Sequence, residues 1–105
     1  MSRTDLRERA QHPATAALEL ATVMRTVGDP IRLQIVRTLA DERPRACGEL
    51  SDLLGLPNST LSYHLRLLRD AGLTRTLPQG AQRLTALRRE DLDQRFPGLL
   101  EVLTQ

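Results

Sequence analysis

Apolar and polar residues alternate along this chain with a helical rhythm for most of its length. The stretch ATAALELATVMRTV, residues 14–27, is apolar around most of its circumference and predicts a helix that begins with Pro13 in its first turn. A helix this apolar needs cover on more than one side, from its own core and from a partner subunit. Gly28-Asp29-Pro30 ends it, with Asp29 placed to cap the next helix and Pro30 at its first position. That next helix, IRLQIVRTLADE, aligns Ile31, Ile35, Val36 and Leu39 on a core stripe and stops before Pro44. RPRA at 43–46 reads as a link. CGELSDLLG then predicts a short helix with Leu50, Leu53 and Leu54 inward, closed by Gly55; Leu56 anchors the turn that follows.

The helix after Pro57 is the most informative. At about 100° per residue, Leu61, Leu65 and Leu68 share a narrow stripe. Arg69, Ser62, Arg66, Ser59 and Tyr63 follow one another around the rest, with His64 at the border of the stripe. Hydroxyls and guanidinium groups on an exposed helix face suit base edges and phosphates. An ordinary solvated face is the plainer alternative, and an exposed tyrosine among serines weighs against it.

Beyond Gly72 the period shortens to two. Residues 73–77 and 82–87 alternate, and Pro78-Gln79-Gly80-Ala81 supplies a turn, which predicts a two-stranded hairpin. Such a wing beside a helix-turn-helix can follow the nucleic-acid backbone. Two strands alone are unstable, so the hairpin must pack on the helices. The last segment starts a helix near Arg89, with Glu90 and Asp91 favourable in its first turn, breaks at Pro97-Gly98 and resumes as LLEVL. Leu92, Phe96, Leu99, Leu100 and Leu103 carry too much apolar surface for a free tail. Together with Leu18, Ala21 and Met24 of the first helix they are expected at a dimer interface.

Composition sharpens this picture. The chain has 105 residues, enough for one small domain, and Tyr63 and Phe96 are its only aromatics. Its core is therefore aliphatic, and a core of that size favours a dimer. Residues 1–13 read as a flexible polar tail and 14–105 as the folded domain. The net charge of +2 is unevenly spread. Between 58 and 89, six arginines stand against Asp70 alone, whereas 90–105 is acidic. That basic block coincides with the face just described, as a phosphate-binding surface requires. There is no apolar signal segment or membrane span, so a cytoplasmic location is expected. One cysteine excludes an internal disulfide framework.

Together, GDPIRLQIVRTL, LSYHLRLLRDAGL and the hairpin with the helix after it resemble the ArsR/SmtB family of winged helix-turn-helix regulators. The resemblance covers roughly residues 15–103. It implies an α-α-α-α-β-β-α fold, mainly helical with a small hairpin, and a homodimer on an inverted-repeat promoter site, usually as a repressor. By position it places base-reading residues at Asn58, Ser59, Ser62 and Tyr63. With the basic block and the wing, the expected DNA-binding set is Asn58, Ser59, Thr60, Ser62, Tyr63, Arg66, Arg69, Arg75, Gln79, Gln82 and Arg83. The partner that the resemblance implies is double-stranded promoter DNA.

The family's sensing ligands are missing. Many members keep thiolates in a C-V-C-D-L pattern, and here that place reads Ala46-Cys47-Gly48-Glu49-Leu50, with Cys47 where the pattern has its non-ligand residue. Others use aspartate and histidine on the last helix; Asp91 and Asp93 are present, but 65–105 has no histidine. A transition-metal site wants nitrogen or sulfur donors beside carboxylates, so no cofactor is expected. The alternative within the same class is a nickel or zinc response through an unusual oxygen-rich or partner-supplied site, with His12 as a candidate ligand. The signal, whether a separate sensor protein or a small effector, is not specified. Ser62, His64 and Asp70 point in different directions from one helix, so catalysis is not expected. A protein-binding winged helix without DNA affinity is the reading from another class.

Overall fold

A computed structural model describes residues 12–105, so all but the last two residues of the expected tail lie outside the described residues. The chain runs from a 3₁₀ turn at Thr15–Ala17 into helix α1 (Leu20–Val27) and α2 (Pro30–Thr38), which ends in a second 3₁₀ turn at Leu39–Asp41. Strand β1 (Arg45–Ala46), α3 (Cys47–Leu54), α4 (Asn58–Asp70), β2 (Thr74–Gln79), β3 (Gln82–Leu87), α5 (Arg89–Arg95) and α6 (Leu99–Leu103) follow. The three strands form an antiparallel sheet in the order β1-β3-β2.

Local chemistry sets several of these boundaries. The Asp29 carboxylate accepts from the Ile31 and Arg32 amides at 2.9 and 3.0 Å, capping α2 behind Pro30 as expected. Those amides, Arg32 first, hold its carboxyl below the usual range despite partial burial. Gly55 closes α3 at φ 65°, and the Ser51 hydroxyl donates to the Leu56 carbonyl in the turn before α4.

The first helix departs from its expected course. It begins at Leu20, because Leu18 and Glu19 are extended. Leu18 leaves the helical path to enter the core, where it is 1% exposed and lies over Gly72. A Cβ at Gly72 would fall 2.0 Å from Leu18 Cδ2, so the missing side chain makes the room. Arg95 Nε donates to the freed Leu18 carbonyl at 3.1 Å. Alanine-rich composition favours a continuous helix; tertiary packing overrides it here.

Other expectations also shift. The link at 43–46 contains β1, whose two residues pair with Thr85 and Leu84 of β3. Buried Arg45 is held there by Asp41 at 2.8 Å and Glu49 at 2.6 Å. Leu53 is 56% exposed, because Cys47, Leu50 and Leu54 set the inward sector of α3. Ile35, Val36 and Leu39 of the α2 stripe are fully buried. Leu61, Leu68, Leu73 and Leu87 join them in an aliphatic core.

Three residues expected at the dimer interface belong to that core. Leu18, Leu92 and Leu100 are at most 1% exposed within the protomer and have no surface left to give a partner. Phe96, Leu99 and Leu103 are half-buried against the core. Ala21 and Met24 remain exposed, and Leu20 and Val102 join them.

His12 and Pro13 are the two described residues of the expected tail. His12 lies against the outer edge of the sheet, where its Nε2 accepts from the Thr76 amide at 3.0 Å. The outer strand's open backbone is thereby partly covered.

Candidate nucleic-acid interface

Helix α4 stands on α3 across the three-residue turn Gly55-Leu56-Pro57, and the sheet lies on its other flank. Leu61, His64 and Leu68 face inward, which turns Asn58, Ser59, Ser62, Tyr63 and Arg66 outward. Thr60 and Arg69 are half-buried at the edges of that face. Tyr63 is 51% exposed, with the Arg66 guanidinium 5.7 Å from its ring centre. This cation–π contact steers Arg66 along the helix surface.

A cleft of about 520 Å³ opens between α4 and the wing. It gathers Ser59, Ser62, Tyr63, Arg66 and Arg69 from the helix and Arg83 from β3. No carboxylate is among the described residues lining it, so the guanidinium groups act together on whatever enters. Arg69 Nε is buried without a hydrogen-bond partner among the described residues. The half-buried Arg69 guanidinium at the wall of such a cleft favours an anionic partner through its charge.

The remaining candidates are distributed around this cleft. Gln79 and Gln82 face one another at the exposed tip of the hairpin, and Asn58 and Thr60 sit at the start of α4. Arg75 is not brought in: strand alternation sends Thr74 and Thr76 into the cleft and turns Arg75 towards the side where its charge acts on Asp91. Cys47, Leu65, Thr74, Thr76 and Thr85 line the cleft outside the expected set, and for the threonines the period-two spacing of Thr74 with Thr76 and of Arg83 with Thr85 was the signal. Cys47 Sγ lies 3.9 Å from Ser62 Oγ. No group of three or more histidine, cysteine or acidic residues suited to a metal comes together among the described residues. Ser62 opens to the cleft while His64 faces the interior, so the two do not form a nucleophile and base.

These features define a winged helix-turn-helix. The model of a helix-turn-helix domain matches residues 27–76, the segment from the end of α1 to the middle of β2. A Bacillus subtilis protein described as the uncharacterized HTH-type transcriptional regulator YceK is 34% identical over 84 residues, covering 79% of this chain and 84% of that protein. The arsenical resistance operon repressor of Staphylococcus xylosus is 36% identical over 80 residues, covering 71% of each. The crystal structure of the transcriptional repressor BigR from Xylella fastidiosa superposes with a TM-score of 0.66 at 29% identity, covering 98% of this chain and 93% of that one. The chain belongs to the ArsR family of winged helix-turn-helix transcriptional regulators. Among the described residues, no helix is long and apolar enough to cross a membrane.

Proposed function

We propose that this chain is a cytoplasmic, homodimeric repressor that binds an inverted repeat in promoter DNA. The observation that carries the proposal is the cleft, lined by no carboxylate among the described residues, in which Ser59, Ser62 and Arg66 of α4 meet Arg83 of the wing. In this reading α4 enters the major groove, where Ser59, Ser62 and Tyr63 discriminate bases, with Asn58 and Thr60 at the leading end. Arg66, Arg69 and Arg83 neutralise phosphates, and Gln79 and Gln82 follow the backbone from the wing tip. Exposed Leu20, Ala21, Met24 and Val102 supply the apolar surface for a second copy. The proposed activity is binding without catalysis and needs no resident cofactor.

Selection from a random-sequence duplex library tests the proposal. The expected result is enrichment of an inverted repeat whose half-sites lie about one helical turn, roughly 10 base pairs, apart. Recovery of no common sequence would leave the winged helix as a protein-binding module.

A further inference from the structure

We infer that Arg32 and His64 form a positioning pair that sets α4 upon α2, with His64 neutral and its proton on Nε2. The inference rests on the DNA-binding reading above. His64 is 8% exposed, and its Nδ1 lies 3.2 Å from Arg32 Nη1. A guanidinium only donates, so Nδ1 must accept. An imidazole accepting at Nδ1 is uncharged and carries its proton on Nε2.

Arg32 does more than meet the ring. Its Nε donates to the Thr26 carbonyl at 2.6 Å, in the last turn of α1, and its amide is held by the Asp29 cap. One side chain therefore joins α1, α2 and α4. Thr26 stands two residues beyond Met24, on the helix whose exposed face is proposed to meet the second subunit. From His64 the contacts continue outward on α4. The Tyr63 ring stands edge-on to the imidazole at 5.2 Å, and Arg66 lies against Tyr63. Among the described residues, Arg32 from α2 and Tyr63 from its own helix stand against the His64 ring. Displacing the imidazole would thus shift Tyr63 and Arg66, two members of the outward face. His64 touches no DNA in this account and acts through them.

The chemistry of asparagine and glutamine separates this role from simple packing. His64→Asn places an amide oxygen where Nδ1 stands and keeps the acceptor for Arg32. His64→Gln extends one bond further and matches the position of Nε2 instead. Affinity for the library-selected duplex is expected to stay within about threefold of wild type for H64N and to fall about tenfold or more for H64Q and for R32K. Thermal midpoints of the two His64 variants should remain alike. Nitrogen-15 spectra of the DNA-free protein at neutral pH should show Nδ1 of His64 unprotonated and Nε2 protonated.

Equal affinities for H64N and H64Q would overturn the inference, as would a proton on Nδ1. Absence of wild-type binding would strike the DNA reading, and the spectra would still judge the pair.

Discussion

Thr15 Oγ1 donates to Asp91 Oδ1 at 2.7 Å, joining residues 76 positions apart. The bond fastens the 3₁₀ turn ahead of α1 to the first turn of α5, where Arg88 Nε grips the other carboxylate oxygen at 2.9 Å. Thr15, and then Arg88, hold the Asp91 carboxyl below its ordinary value. As acid is added, the unfolded chain takes up this proton first. Asp91 therefore contributes full stability above the ordinary carboxylate value of about 4 and loses it as pH falls through the lower folded value. Thr15→Val should cost about 1 kcal/mol in urea unfolding at pH 7 and fixed protein concentration. The gap from wild type should close at acid pH; a gap constant with pH would contradict this account.

Gly72 and Leu18 form a second long-range dependence. At φ 89°, with Leu18 Cδ2 2.0 Å from where its Cβ would stand, Gly72 accepts a side chain only with backbone strain and displacement of Leu18. Gly72→Ala should destabilise by about 2–4 kcal/mol, from left-handed backbone strain and overpacking. Leu18→Ala empties the same space, so the double variant should be more stable than the sum of the single losses allows. Strict additivity in a thermodynamic cycle would show that the two positions do not interact.

On α4 the roles of Arg66 and Ser62 should separate experimentally. Arg66→Ala should weaken binding to all duplexes and reduce the salt slope by about 1. Ser62→Ala should relax base preference at one position at a cost on the order of 1 kcal/mol, leaving the slope unchanged. Fluorescence anisotropy with matched and mismatched duplexes reads both.

Assembly is tested at Met24. It is 47% exposed, so Met24→Glu should leave the circular-dichroism spectrum intact while sedimentation shifts from dimer to monomer. An unchanged sedimentation coefficient would place the interface elsewhere.

Much of this organisation was legible in the sequence because it is local. Asp29-Pro30 opens α2, Gly55 closes α3 and Pro97-Gly98 divides the last two helices, each through chemistry contained in a few residues. The outward side of α4 followed from its leucine spacing. What escaped was tertiary in origin. Burial of Leu18 over Gly72 breaks an alanine-rich helix, and no periodicity announces it. Strand β1 has two residues and needs β3 beside it to exist. Leu92 and Leu100 read as surplus apolar surface until the protomer core is seen to enclose them. Arg75 was grouped with the other arginines by charge, although alternation along β2 turns it from the cleft.

The most direct test of DNA binding through α4 and the wing is a salt series on wild-type protein, with the selected duplex and a scrambled duplex of equal composition. Affinity should fall linearly on logarithmic axes, by about 0.9 per phosphate neutralised. At physiological salt the selected duplex should bind at least about 10³ times more tightly than the scrambled one. Equal binding of both, insensitive to salt, would contradict the central claim.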